Sequence, residues 1–70
     1  MARIEFAPDG EHYHIVRRGK LLEMWDYFTQ NSDLRMQLTL IRNAKVRLVN
    51  GKKVIGVLKY DGKEFLHLKG

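Results

Sequence analysis

Residues 44–58 have the sequence AKVRLVNGKKVIGVL, and this segment sets the architecture that we expect for the chain. Apolar and basic residues alternate through 44–48, which is typical of a strand with one buried face. Asn50-Gly51 then precedes a second apolar run, and this dipeptide favours a type I′ turn because both central residues need positive φ. The segment therefore predicts a β-hairpin.

The second strand of this hairpin, residues 52–59, is apolar on both faces. Strict alternation places Val54 and Leu58 on one face and Ile55 and Val57 on the other. A strand of this kind must be covered on both sides. We therefore expect a strongly bent antiparallel sheet or small barrel, with a second copy of the chain as a further source of cover.

An N-terminal hairpin and one helix precede this region. Charged and apolar residues alternate over 3–6, the Pro-Asp-Gly sequence at 8–10 is typical of a turn, and a strand-like run follows, which predicts a hairpin over 3–17. Apolar residues then recur with helical spacing over 20–30. These helical positions are Leu21, Met24, Trp25 and Phe28.

Residues 34–42 fit two structures. Their apolar residues alternate as in a strand, but three of them also fit one face of a helix that Ser32 or Asp33 could cap. Alternation explains more positions, so we expect a strand that bends into 44–49. With a turn at 60–62 and a last strand at 63–68, the C-terminal meander spans 34–68.

The chain is therefore expected to be one small α+β domain over residues 1–70, with the order β-β-α-β-β-β. Seventy residues without cysteine leave one small core and no disulfide or thiolate metal site to reinforce it. Since 44% of the residues are hydrophobic, the composition is that of a globular protein, and a homo-oligomer is expected to complete its core.

The net charge of +5 is concentrated in one part of the chain. Residues 42–69 contain eight basic and two acidic residues, whereas the remaining residues contain five basic and six acidic ones. A basic surface interleaved with aromatic residues is what phosphate contacts and base stacking require. The alternative is a solvated lysine-rich surface that protects exposed strand edges. The candidate nucleic-acid-binding residues are Lys45, Arg47, Lys52, Lys53, Lys59, Tyr60, Lys63 and Phe65.

The same region resembles the first sequence motif of the Sm-like family. The shared pattern is apolar-x-apolar-x-Leu-x-x-Gly followed by a second Gly and x-Leu, and Tyr60-Asp61 resembles the aromatic-Asp step of that family. In this sequence the pattern falls on Ala44, Val46, Leu48, Gly51, Gly56 and Leu58. The resemblance covers about a third of the chain, and it implies a strongly bent small barrel and an RNA ligand.

The sequence also departs from that family. The interval between Gly56 and Leu68 is one residue shorter than usual, and Gly62 stands where the family has an Asn for uridine-type recognition. The last two strands of the family have no counterpart after residue 68. A circular permutation, in which hairpin 3–17 replaces them and strand 11–17 lies beside 44–49 or between two chains, would restore the barrel.

Catalytic and metal-binding patterns are weak. The only serine, Ser32, lies in a helix-ending cluster, and no nucleophile elbow or phosphate-binding glycine loop is present. His12 and His14 would share one face of a strand, but two such histidines are more often ordinary surface residues. We expect a non-enzymatic protein without cofactor or metal.

No signal peptide or membrane-spanning segment is expected, so the predicted location is the cytoplasm. Two functions remain open. The first is a small nucleic-acid-binding module, RNA before DNA, which binds phosphates through the basic meander. The second is a protein-interaction or inhibitor module, of mobile-element origin, that acts by homodimerisation or by adding a strand to a partner.

Overall fold

The structure, a computed structural model, describes residues 1–68 and confirms a small α+β domain with an antiparallel sheet. Five strands and two helices follow one another along these residues. They are β1 (Ala2–Ala7), β2 (His14–Gly19), α1 (Leu21–Gln30), α2 (Ser32–Leu40), β3 (Lys45–Asn50), β4 (Lys53–Tyr60) and β5 (Phe65–Leu68).

The sheet has the strand order β2-β1-β3-β4-β5, and every pair of neighbours is antiparallel. Because β2 and β5 are not paired with each other, the sheet is open, and the expected barrel is not formed within residues 1–68. The permutation is also wrong for the single chain, since β1 and not β2 pairs with β3. Burial explains this placement: Ala2 and Ile4 of β1 are fully buried, whereas β2 is mostly exposed.

Both helices pack on one face of the sheet and form the core with it. Met24 and Phe28 of α1 and Leu34 and Leu38 of α2 are each at most 7% exposed, and the four-residue spacing puts each pair on one helix face. The strands contribute the remaining buried residues of this cluster. These are Ala2, Ile4, Phe6, Val46, Leu48 and Leu58, together with Ala44 just before β3.

The strand expected at 34–42 is wrong, because residues 32–40 form α2. The Asn31 side chain caps this helix by accepting a hydrogen bond of 3.0 Å from the backbone N–H of Leu34. Only Leu34 and Leu38 reach the core, while Met36 and Leu40 are 57% and 72% exposed. The apolar alternation was therefore misleading, and β3 begins only at Lys45.

The two-sided strand needs one further correction. The register of β3 with β4 shifts after Leu48, so that Leu48 lies opposite Gly56 and Val49 lies opposite Val54. This irregularity inserts Ile55 as an extra residue and moves Val54 to the face that carries Val57. Val54 therefore does not share a face with Leu58, because a bulge changes the parity of every residue before it.

Three turns require positive φ. Gly10, Gly51 and Gly62 have φ values of 81°, 62° and 99°, each between two antiparallel strands. The hairpin at Gly51 is formed, but the expected type I′ turn on Asn50-Gly51 is wrong: Asn50 does not have positive φ and pairs with Lys53, so Gly51 and Lys52 form the loop. At Gly10 a Cβ would also lie 2.5 Å from the carbonyl oxygen of Asn43. The β1–β2 turn therefore packs tightly against the α2–β3 loop. Within residues 1–68, neither helix is long and apolar enough to cross a bilayer.

Candidate nucleic-acid interface

The helices pack on one face of the sheet, and no helix or strand of residues 1–68 packs on the other, which we call the open face. Side chains around them nevertheless bury Ala7, Glu5 and Val49 on this face. Its members follow from the register, since residues directly opposite each other on neighbouring strands point the same way. They are Ile15 and Arg18 on β2, Arg3, Glu5 and Ala7 on β1, Lys45, Arg47 and Val49 on β3, Val54, Val57 and Lys59 on β4, and Leu66 and Leu68 on β5.

The part of the open face formed by β2, β1, β3 and the end of β4 is strongly basic. It carries five cationic side chains and one carboxylate, Glu5. Lys45 lies directly opposite Lys59, and Arg3 lies directly opposite Arg18. Like charges in such positions repel each other and destabilise a sheet. No carboxylate of residues 1–68 lies within 4.0 Å of the charged nitrogen of Lys45, Lys59 or Arg18, so no ion pair relieves the repulsion between Lys45 and Lys59. In the other pair, Arg3 has an ion pair with Glu5 and Arg18 has none.

Glu5 links two of these cations. Its two carboxylate oxygens each accept a hydrogen bond of 2.6 Å, one from Nε of Arg3 and one from Nε of Arg47. The residue is 6% exposed although it lies on the open face. Burial alone would raise the pKa of the Glu5 carboxyl, but the hydrogen bonds from Arg3 and Arg47 outweigh it and lower this pKa.

Arg47 also stacks on an aromatic ring. Its guanidinium carbon lies 3.8 Å from the centroid of the Tyr13 ring, just before β2 begins. Burial, countered in part by the charge of Arg47, raises the pKa of the Tyr13 hydroxyl, so this side chain is a neutral phenol at physiological pH. The open face therefore contains a planar cation on an aromatic surface, which was not expected from the sequence.

A groove of about 720 Å³ lies at one end of the sheet, between the α2–β3 loop and the β1–β2 and β4–β5 turns. Lys45, Lys59 and Tyr60 line it together with Arg42. Three carboxylates, those of Asp9, Glu11 and Asp61, balance these three cations. Backbone N–H groups hold Asp9 and Asp61 and lower the pKa of each carboxyl. Lys45 and Lys59 therefore border both this groove and the open face, and the groove as a whole has equal numbers of cationic and anionic side chains.

The structure separates the predicted site residues into three groups. Lys45, Arg47 and Lys59 lie together on the open face. Lys52 and Lys53 lie at the β3–β4 turn at the opposite end of the sheet from Lys45, while Lys63 lies in the β4–β5 turn. The basic residues of the meander therefore do not form one continuous stripe.

The two predicted stacking residues lie on the other face. Tyr60 and Phe65 are paired across β4 and β5, and both pack against the helix-covered core. Their ring centroids are 5.0 Å apart, so each supports the other. A base on the open face could not reach the Phe65 ring, because the sheet lies between them.

Sequence reasoning missed three residues of the open face: Arg3, Arg18 and Tyr13. The alternation of Arg3 and Glu5 with Ile4 and Phe6 was visible, and it placed the two charged residues opposite the core. The pairing of Arg3 with Arg18 depends on a register shift between Ile4 and Glu5, which no local pattern announces.

Comparisons with known proteins give no relative on which to base a function. No protein-family model, no curated protein and no solved structure matches the chain. The similarity to the Sm-like motif stays a prediction, and the geometry of the open face is what remains to support a function.

Proposed function

We propose that this protein is a small non-enzymatic nucleic-acid-binding module that holds RNA, in preference to DNA, on the open face of its sheet. The observation that carries the proposal is the cross-strand pair of Lys45 and Lys59, two like charges that have no ion-pair partner among residues 1–68. Arg18 adds a third unpartnered cation opposite Arg3, whose own charge is paired with Glu5. A phosphate placed between two like charges would remove the repulsion and replace it with attraction. The solvated-surface alternative offers no comparable reason for placing cations opposite each other.

The roles of the basic residues differ with their surroundings. Lys45, Lys59 and Arg18 have no ion-pair partner among residues 1–68, so they are assigned to phosphate contacts. Arg3 and Arg47 share their charge with Glu5, so they neutralise phosphate less effectively. Lys52, Lys53 and Lys63 extend the positive field at the two ends of the sheet.

The shape of the open face favours RNA over duplex DNA. Reading the major groove of DNA requires a protruding helix or ribbon, whereas single-stranded RNA is commonly bound on the surface of a sheet. α1 is unsuited to the groove-binding role because it exposes Glu23 and Asp26, whose charges would repel phosphates.

The test is a salt titration of RNA binding. A fluorescein-labelled 20-nucleotide RNA is titrated with protein at several salt concentrations, and affinity is measured by anisotropy. We expect the affinity to fall steeply with salt, and Lys45→Gln or Lys59→Gln to reduce the slope of log affinity against log salt by about 0.7 each. Lys20→Gln, at the exposed N-cap position of α1, is the control, because Lys20 lies outside the strands of the open face. Absence of binding at low salt, or an equal effect of the control, would refute the proposal.

A second candidate function, homodimerisation, is favoured by the apolar half of the open face. Val54, Val57, Leu66 and Leu68 lie there on the last two strands, and Leu68 is 40% exposed. A second copy could cover these residues. Light scattering of the protein alone at micromolar concentration measures its molar mass and so tests for the dimer. An apolar dimer should persist or become more stable in sulfate, whereas the RNA complex of the preceding experiment should dissociate as salt increases. A monomer under all conditions would exclude the dimer.

A further inference from the structure

Resting on the proposed function, we infer that the stacked side chains of Tyr13 and Arg47 bind an unpaired base, so that the ligand of the open face is a single strand and not a duplex. Aromatic rings and arginine guanidinium planes are the two surfaces on which unpaired bases stack in proteins. Here the two lie against each other at 3.8 Å on a face that is otherwise basic or aliphatic.

The Arg47 guanidinium is held in place. Its Nε donates to one oxygen of Glu5, and the other oxygen accepts from Nε of Arg3. Arg3 is fixed in turn, since its Nη1 donates to the carbonyl oxygen of Gly51 at 2.9 Å. A planar group that is oriented before binding loses little conformational entropy when a base stacks on it.

The charge distribution also favours a stacking role for Arg47. Glu5 carries one negative charge between two guanidinium groups, so the cluster of Arg3, Glu5 and Arg47 has a net charge of only +1. Arg47 is consequently a poorer phosphate ligand than Lys45 or Lys59, which have no such partner. One planar face of its guanidinium lies against Tyr13, and the side chain is 30% exposed, so contact with a base would be to the exposed part of this stacked pair.

The positions of the cations match a single RNA strand that crosses the open face, with one of its bases lying between two of its phosphates. Along β3, Arg47 lies two residues from Lys45 and two residues from Val49, which pairs with Arg3. Two residues of a β-strand span about 6.7 Å, so cations lie on both sides of Arg47: the unpartnered Lys45 on one side and Arg3, which is paired with Glu5, on the other. In a duplex the base faces are stacked on each other, so this surface would meet phosphates, sugars and base edges but no free base face.

The experiment compares Tyr13→Leu, Tyr13→Phe and Arg47→Lys with the unaltered protein. The probes are a labelled 20-nucleotide RNA of unstructured sequence and the duplex that it forms with its complement, both by anisotropy. Far-ultraviolet circular dichroism and the fluorescence of Trp25, the only tryptophan, verify that each variant is folded. If Tyr13→Leu fails to fold, Arg47→Lys tests the same stack.

We expect the single strand to bind at least about tenfold more tightly than the duplex. Tyr13→Leu and Arg47→Lys should each weaken single-strand binding by about fivefold to a hundredfold. The salt slope should stay unchanged because no net charge is lost, and Tyr13→Phe should bind normally because it keeps the ring.

Two failures are distinguishable. If the unaltered protein binds neither probe, the proposed function itself is refuted, and the stacking inference falls with it. If the unaltered protein binds single-stranded RNA and the duplex equally, the proposed function stands and the stacking inference is overturned. The same conclusion follows if folded Tyr13→Leu and Arg47→Lys bind single-stranded RNA as tightly as the unaltered protein does.

Discussion

At the scale of single residues, Glu5 has the largest effect on the organisation of the open face. It is a buried carboxylate on a surface that no element of residues 1–68 covers, and it is shielded by the two arginines that donate to it. An ionised carboxylate can be buried at low cost only when charged donors satisfy its oxygens. Glu5 therefore holds β1 and β3 together and orients Arg47.

Glu5→Gln should destabilise the fold. The amide cannot accept two charged hydrogen bonds, and both guanidinium groups lose their counter-charge, so the free energy of unfolding should fall by about 1–3 kcal/mol. Urea denaturation at pH 7, followed by circular dichroism, measures this change. Glu11→Gln, at an exposed turn position, is the control and should change it by less than about 0.5 kcal/mol.

Comparing the unaltered protein with Glu5→Gln at different pH values tests whether the charge of Glu5 stabilises the fold. Because the folded state lowers the pKa of Glu5 below the ordinary 4.5, its contribution is present above that value and is lost as pH falls through the lower folded pKa. The stability difference between the unaltered protein and Glu5→Gln should therefore shrink below about pH 4.5. A difference that stayed constant into strong acid would contradict the role of the Glu5 charge.

At the scale of elements, α2 shows how a short local signal outweighs a longer pattern. Asn31 is the only residue between the two helices, and it ends α1 and begins α2: its backbone N–H donates to Tyr27 and its side chain accepts from Leu34. Helices this short depend on capping and packing more than on intrinsic propensity. The alternation of Leu34, Met36 and Leu38 counted for less than this cap.

Asn31→Ala should shorten or destabilise α2. Loss of the side-chain acceptor leaves the first N–H groups of the helix unsatisfied, at a cost of about 1 kcal/mol. Ser32→Ala, the neighbouring position with no capping bond in the structure, is the control and should have a smaller effect. Thermal denaturation of both variants measures the difference, and an equal or larger loss in Ser32→Ala would show that the cap is assigned to the wrong residue.

At the scale of the whole molecule, one layer of helices on one open sheet gives a single small core. Phe28 is its largest fully buried side chain, and its ring packs near Gly56 and edge-on to His67, so it joins α1 to the C-terminal strands. A core of this size supplies only about 3–5 kcal/mol of stability. The loss of one large side chain is therefore comparable with the stability of the fold.

Phe28→Ala should leave the protein largely unfolded at 25 °C, because truncation of a buried phenylalanine costs about 3–5 kcal/mol. Leu22→Ala on the same helix is the control, since Leu22 is 77% exposed and its truncation should cost less than about 0.5 kcal/mol. Circular dichroism and thermal melting distinguish the two. A cooperative melt of Phe28→Ala near that of the unaltered protein would show that the core does not depend on this residue.

The sequence by itself determined the local features whose causes are local. The hairpin turn at Gly51 and the other glycine turns, the helical spacing of Met24 and Phe28, and the α+β class follow from backbone preferences and periodicity. The charge excess of the meander could also be counted directly. Each of these depends on residues close together in the chain, so the sequence pattern contains the necessary information.

Only the tertiary structure decided which strands are neighbours and which side chains share a face. Three features depend on how much apolar surface is buried between elements that are distant in the chain. They are the pairing of β1 with β3, the register shift at Ile55 that turns Val54 to the open face, and the packing of Tyr60 and Phe65 against the core. A shift of one residue in register turns every side chain to the opposite face. The candidate site on the open face therefore became visible only when residues from the two ends of the chain were brought together.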